Sequence, residues 1–249
     1  MKVTILGKSP AWSDAGGACS GYLVEHGDDA LVLDCGTGVL ASLRQLADYA
    51  DVRHVVLSHM HADHVLDLVP FAVALTYSPR GPLPRPALHV PPGGTASLAE
   101  LFEVLHLAPL LTAAYDVREH AADAVLEVGA MRLRFAAVEH FIPSLAVSVE
   151  APDGTRLVYS GDSSPTPALV ELSRGADLLL CEATLLEPSF GHMTAREAGE
   201  HAAAAGARRL VLTHYSDEVD AAAHRAAAAE AFGGPIDLAV AHATFDLTS

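Results

Sequence analysis

Three imidazoles and a carboxylate fall within six residues at His59-Met60-His61-Ala62-Asp63-His64, directly after the apolar run His54-Val55-Val56-Leu57-Ser58. Neutral imidazole is the commonest protein ligand for zinc-like metals, and such ions take nitrogen and carboxylate oxygen at about 2 Å, so several of these groups must converge on a small volume. A strand ending in a tight loop does this. On extended chain, side chains two apart point the same way, so His59 and His61 are able to share one ion. Asp63 and His64, one step into the turn before the apolar stretch Val65 to Thr76, then face a second. The bland alternative is a solvated histidine-rich loop, and the position at a strand end weighs against it.

Two metals need more ligands, and these should sit at strand ends too. The apolar run Met131 to Glu139 ends at His140, Arg156 to Gly161 ends at Asp162, and Leu210 to Thr213 ends at His214. Taken singly, each is unremarkable: a histidine after a strand is usually surface or core, and an aspartate in a Gly-Asp-Ser turn usually serves the turn. Their agreement with the first cluster makes them candidates.

The elements that would position these residues follow from hydrophobic period and turn signals. Strands are predicted at Val3 to Leu6, Ser20 to Glu25 and Ala30 to Asp34, then a helix at Thr37 to Ala47, a strand at His54 to Ser58 and a helix at Val65 to Thr76. The Pro/Gly stretch Ser78 to Pro86 reads as a loop, Leu88 to Val90 as a strand and Ala96 to Leu107 as a helix. Consecutive strands follow over Tyr115 to Val128, Met131 to Val138 and Leu145 to Glu150, with Pro152-Asp153-Gly154 turning into Arg156 to Ser160. Strands at Leu178 to Cys181 and Leu210 to Thr213 bracket a helix at Ala195 to Ala205, opened by the capping box Thr194 and Glu197. A helix at Ala221 to Phe232 and a strand at Ile236 to Ala241 close the chain. A strand-rich block followed by helices thus occurs twice.

Composition narrows the function classes. At 249 residues, 51% apolar and 18% charged, the chain suits one globular domain spanning 1–249. With 31 acids against 15 bases, the formal charge of −16 argues against a long polyanionic partner, whose affinity comes from Lys and Arg. A small substrate suits it better. The N-terminus lacks the pattern of a signal peptide and no run approaches the roughly 18 apolar residues of a membrane span. Cys19, Cys35 and Cys181 are an odd number without metal spacing, which argues against a disulfide framework and for a cytoplasmic home.

The His-x-His-x-Asp-His cluster, the later His140, the turn Ser160-Gly161-Asp162-Ser163 and the terminal Thr213-His214 together resemble the successive motifs of the metallo-β-lactamase-fold hydrolases. The resemblance runs from Asp34-Cys35-Gly36 to His214. Within that superfamily, Cys181-Glu182-Ala183-Thr184 followed by His192-Met193-Thr194 is similar to the ribonuclease Z-like and phosphodiesterase branch, with Cys181 where the family has histidine. The resemblance implies an α/β fold, a four-layer αββα sandwich of two pseudo-symmetric halves. It implies that His59, His61 and His140 hold one metal, that Asp63, His64 and His214 hold the other, and that Asp162 bridges. Two divalent ions, zinc first with manganese, iron or cobalt as alternatives, would sit roughly 3.5–4 Å apart, supply hydroxide near neutral pH and clamp phosphoryl oxygens. Asp63 would orient the attacking water, and His192 would protonate the leaving alkoxide. Asp34 would orient a metal-binding histidine. A homodimer is compatible with the family.

The substrate reading turns on one interval. Ribonuclease Z enzymes that mature tRNA carry a long arm between the third motif and the bridging aspartate, whereas His140 and Asp162 stand only 22 positions apart. Gly21-Tyr22-Leu23-Val24, Ser58 to His64 and Leu180 to Ala183 are similar to actinobacterial cyclic-nucleotide phosphodiesterases of this fold. A small phosphodiester, such as a cyclic nucleotide, is therefore the expected substrate. Carbonyl hydrolysis by a lactonase or thioesterase stays open, with Tyr77 or Tyr215 required over the carbonyl oxygen. A tRNA 3′-processing endonuclease and a non-enzymatic metal-binding protein remain the further alternatives. Trp12 reads equally as a pocket wall or as packing, and Arg80 as a solvated loop arginine. The other histidines, His26, His54, His89, His106, His120, His201, His224 and His242, read mostly as surface residues.

Overall fold

Alternation along the strands dictates the layering. In β3 (Asp29–Leu33), Leu31 and Leu33 pack in one apolar cluster while Val32 between them packs in another. In β11 (Leu178–Glu182), Leu178 and Leu180 join the first kind of cluster and Leu179 and Cys181 a third. A strand that buries both faces must lie between two layers. The computed structural model, which describes residues 1–247, resolves this as two seven-stranded sheets face to face with helices outside.

The first half begins with an antiparallel meander of β1 (Lys2–Gly7), β2 (Gly21–His26) and β3. Next, β4 (His54–Val56), β5 (Ala87–Val90) and β6 (Asp116–Glu119) add in parallel. The crossovers carry α1 (Val39–Leu46), then α2 (Ala62–Val65) with α3 (Leu68–Tyr77), then α4 (Gly94–Val104) with α5 (Ala108–Ala114). The second half repeats the plan. An antiparallel run of β7 (Val125–Val128), β8 (Met131–Val138), β9 (Ser144–Glu150) and β10 (Arg156–Tyr159) is followed by parallel β11, β12 (Leu210–Thr213) and β13 (Ile236–Leu238). Here α6 (Pro167–Leu172), α7 (Ala195–Ala205) and α8 (Ala221–Ala229) form the crossovers. The last strand, β14 (Thr244–Asp246), returns to pair with β1. The αββα sandwich of two similar halves is as expected from the sequence.

Several boundaries differ from the expectation. The helix expected at Val65 to Thr76 is two helices, because Asp67, still helical in its dihedrals, turns its N–H from the helix ladder to Cys35 O while its carboxylate accepts Leu40 N–H at 2.7 Å. Helix α2 also begins earlier than expected, at Ala62, and carries Asp63 and His64 within its single turn. The Tyr115 to Val128 segment holds two strands in different sheets, since the chain crosses between layers after β6. Three elements went unread: α5, α6 and β14. A 3-10 turn at Tyr49–Asp51 also lies outside the sequence reading. The expected domain span of 1–249 includes 248–249, which lie outside the described residues.

Candidate metal centre

Every candidate ligand emerges beyond the C-terminal end of a strand. His59 and His61 follow β4, His140 follows β8, Asp162 follows β10 and His214 follows β12. This is where open α/β sheets place ligands. His61 is the extended residue that caps α2, and its ring and the carboxylate of Asp63 both line the same cleft. Close approach requires glycine at Gly36, where a Cβ would meet the Asp63 carbonyl oxygen at 1.8 Å. Backbone strain marks the centre as well: Asp34 and His214 are non-glycine residues with φ of 57° and 54°.

Two groups of donors form. His59 Nε2, His61 Nδ1 and His140 Nε2 lie 3.0 to 3.1 Å apart along the two contacts through His61. Asp63, His64, Asp162 and His214 make the second group, with His214 Nε2 3.1 Å from Asp63 Oδ2 and both His64 Nε2 and His214 Nε2 3.4 Å from Asp162 Oδ2. The same Asp162 oxygen lies 3.7 Å from His59 Nε2, so this carboxylate faces both groups. All seven side chains proposed from the sequence are thus brought together, within two clusters whose donor atoms lie inside 4.8 Å.

Partners behind the rings decide which nitrogen faces inward. Asp34 Oδ2, which only accepts, lies 2.8 Å from His64 Nδ1, so that nitrogen donates and Nε2 turns to the cluster. Ser58 Oγ donates to Asp34 Oδ2 at 2.7 Å and so accepts from His59 Nδ1 at 3.0 Å. The Gly191 carbonyl accepts from His140 Nδ1 at 2.6 Å. Such partners fix tautomer and ring orientation at metal sites. Gly191 has φ of 103°, and a Cβ there would strike the Phe141 ring at 2.3 Å, so only glycine offers this carbonyl.

The electrostatics call for cations. Burial and the neighbouring His64 hold His59 well below the ordinary imidazole range, and burial lowers His61 and His140. Burial also opposes charge on His64, but the Asp162 and Asp34 carboxylates outweigh it and raise that imidazole. Asp63 and Asp162 are pushed up by burial and brought down further by the histidines facing them, His214 and His64 foremost. Facing lone pairs on three imidazoles repel unless a proton or cation lies between them, and one buried oxygen of Asp162, Oδ1, has no hydrogen-bond partner. A nitrogen-rich group and a mixed nitrogen and carboxylate group fit two divalent ions.

His192 lies beside this centre. Its Nδ1 is 3.1 Å from Glu182 Oε1, its ring stacks at 5.6 Å on His214, and it lines the same cleft. Burial depresses it, but the Glu182 carboxylate prevails and raises its pKa. His192 also falls in two further donor groupings, with His140 and Asp162 and with Glu182 and His214. Since Glu182 engages its Nδ1, we keep it outside the seven.

The remaining expectations divide. Trp12 lines the cleft, whereas Arg80 pairs with Asp48 at 2.7 Å away from it. Tyr215 donates to the Ala239 carbonyl, Tyr77 is exposed, and neither lines the cleft. Cys181 packs among the helix-side core residues and is not among the residues lining the cleft. The surface reading of the other histidines fails for His89, His120, His201 and His224, which are buried. Sequence reasoning assigned no role to Glu182, Thr184, Ser58 or Tyr159. Yet Thr184 bonds His214, and Tyr159 donates to Asp34 at 2.8 Å. Glu182 carried a usable signal, a carboxylate ending the buried run Leu-Leu-Leu-Cys.

Residues 30–215 match the family model described as a beta-lactamase superfamily domain. The chain belongs to the metallo-β-lactamase superfamily. It is a metal-dependent hydrolase of that fold, related to the ribonuclease Z-like members. An uncharacterised protein of Mycobacterium leprae is 35% identical over 99% of this chain and 89% of its own length. A protein of Bacillus subtilis named as a probable metallo-hydrolase, YhfI, is 33% identical over 86% of each chain. Its crystal structure superposes with a TM-score of 0.87 at 28% identity, covering 98% of this chain and 99% of that one. Ribonuclease Z of Mycolicibacterium paratuberculosis is 31% identical over 96% of this chain and 95% of its own. Among the described residues no helix is long and apolar enough to cross a membrane.

Proposed function

We propose that this metallo-β-lactamase-fold hydrolase is a phosphodiesterase for a small diester, such as a cyclic nucleotide. The observation that carries the reading is the pair of abutting donor clusters facing one carboxylate, Asp162, at the floor of a cleft of about 690 Å³. His59, His61 and His140 would hold one ion, Asp63, His64 and His214 the other, and Asp162 both. Zinc is the preferred metal, and nitrogen and oxygen donors of this kind also accept manganese, iron or cobalt. When bound, such a pair lowers the pKa of water toward neutrality and draws charge from phosphoryl oxygens.

The side chains do the rest. Asp63, held ionised by His214 and His64, accepts a hydrogen bond from the attacking water and aims it. The Glu182 carboxylate raises His192 and holds its Nδ1–H, so that in the protonated imidazole Nε2–H is the group that would pass a proton to the departing alkoxide. Asp34 and Gly191 keep the rings of His64 and His140 from turning.

Small size is supported by the connection from β8 to β10. Ser144–Glu150 and Arg156–Tyr159 occupy most of the interval between His140 and Asp162 as paired strands, leaving no room there for a tRNA-gripping arm. The charge of −16 points the same way. Carbonyl hydrolysis is disfavoured because, among the described residues, no tyrosine lines the cleft. A single domain spanning 1–249 and a cytoplasmic home complete the reading, the latter supported by three free cysteines. The test is turnover by metal-loaded protein of bis-p-nitrophenyl phosphate, 2′,3′- and 3′,5′-cyclic nucleotides, a homoserine lactone and a thioester. Hydrolysis of the diesters is expected. Turnover of the carbonyl substrates alone would sink the proposal.

A further inference from the structure

The wall above the metal centre is made of groups that catalysis does not use. Trp12, Phe141 and Leu186 line the cleft whose floor holds His61, Asp63 and His192. Trp12 is 56% exposed and Phe141 61% exposed, and Trp12 belongs to none of the three apolar cores among the described residues. Packing therefore does not account for the indole. An aromatic face held in water beside a reactive centre has surface to bury on something flat.

The loop that bears Trp12 is fastened at both of its ends. Lys8 Nζ pairs with Asp14 across the loop, donates to the Tyr215 carbonyl at 2.7 Å and lies 4.0 Å from the centroid of the Tyr215 ring. Asp14 in turn accepts from Asp217 N–H at 3.0 Å, and its own N–H donates to Ser9 Oγ at 3.0 Å. Trp12 is thus tied to the segment that directly follows His214. A platform fixed to the same segment as a candidate ligand keeps its distance from the reacting atoms, and little freedom is lost when substrate stacks on it.

The charge of the wall selects further. Among the described residues no lysine or arginine lines the cleft, while Glu218 does. A negatively charged substituent against that wall would meet no cation and, besides the floor carboxylates Asp63 and Asp162, the Glu218 carboxylate, so the wall favours an uncharged one.

We infer that Trp12, on the loop clasped by Lys8 and Asp14, is a stacking platform for a flat, uncharged aromatic substituent of the substrate, in the cleft that Phe141 also lines. The inference rests on the phosphodiesterase reading for the reacting group and on Trp12 for the rest. Stacking of a base on an aromatic side chain is sequence-tolerant and strong enough that its loss weakens binding by on the order of ten-fold.

Trp12 is the chain's only tryptophan, so its fluorescence reports this site alone. Adenosine 5′-monophosphate is expected to quench it saturably, and ribose 5-phosphate, which lacks the base, to leave it unchanged. With metal-loaded enzyme and 3′,5′-cyclic AMP, Trp12→Ala is expected to raise KM on the order of ten-fold, with the loss falling on KM rather than kcat. Trp12→Phe should restore most of it, and Lys8→Met should raise KM in the same direction. Equal responses to the two phosphates, or an unchanged KM in Trp12→Ala, would overturn the inference. Failure of the wild-type protein to hydrolyse any diester, with adenosine monophosphate still quenching selectively, would instead overturn the phosphodiesterase reading and leave the platform standing.

Discussion

Asp34 shows how one buried carboxylate sets two ligands at once. It accepts from His64 directly and from Ser58, whose hydroxyl in turn accepts from His59, and Tyr159 donates to it from the opposite sheet. Partners of this kind typically change metal affinity ten- to hundred-fold when removed, and Asp34→Asn, which keeps the volume but gives up the charge, should weaken metal binding by about that factor in calorimetric titration. His192 makes a separable prediction. As the acid for the leaving group, its replacement in His192→Ala should lower kcat about 10²- to 10⁴-fold for alkyl leaving groups and much less for p-nitrophenolate, which departs unaided. Equal losses for both would remove the acid role. Legibility in the sequence was highest at this scale. His59 to His64 are contiguous and the later ligands each end an apolar strand, so type and place pointed together. Ser58, Tyr159 and Gly191 were hidden because a serine, a tyrosine and a glycine are ordinary residues until the fold puts their polar atoms behind a ring.

At the scale of elements, the candidate site depends on strand ends and on the short helices that start beside them. The predicted capping box of α7 is present, with Thr194 Oγ1 accepting Glu197 N–H and the Glu197 carboxylate accepting Thr194 N–H. That cap sits two residues from His192. Thr194→Ala should cost about 1 kcal/mol, read as a fall in Tm of about 2–4 °C for a chain of this size. The elements missed from sequence have physical reasons. The six residues of α6 are too few for a period to show, and Pro109 near the start of α5 reads locally as a breaker while serving as a first-turn proline. Strand β14 is three residues long and is defined by pairing with β1, at the other end of the chain. Asp67 broke the helix expected through it by means of partners on the β3 to α1 connection and in the first turn of α1, which no local pattern reveals.

Across the whole molecule, the two halves meet in the inter-sheet core and again at the metal centre. His59, His61, Asp63 and His64 come from the first half and His140, Asp162 and His214 from the second, so bound metal would tie the halves together. A second histidine group tests the sandwich itself. His89 on β5 is buried, its Nε2 3.1 Å from His54 Nδ1, and its pKa falls to about 4 through burial first and then the His54, His120 and Arg118 side chains, with Asp116 opposing the fall. The folded state therefore binds fewer protons than the unfolded chain between about 4 and the ordinary value of 6.5, so His89 stabilises fully above 6.5 and that contribution is lost as pH falls toward 4. The loss approaches about 3 kcal/mol at one unit per 1.36 kcal/mol. In chelator-treated protein, denaturant titrations of His89→Leu should show a shallower decline over that window than wild type, and identical slopes would remove His89 as the cause.

The central claim is a two-metal centre built from seven side chains, and metal content per chain tests it most directly. Protein reconstituted with zinc or manganese and dialysed should carry two ions per chain by mass spectrometry, and Asp63→Ala, still folded, should retain about one, as expected when a single group of donors is broken. One ion or none in the wild type, or two ions undiminished in Asp63→Ala, would contradict the account.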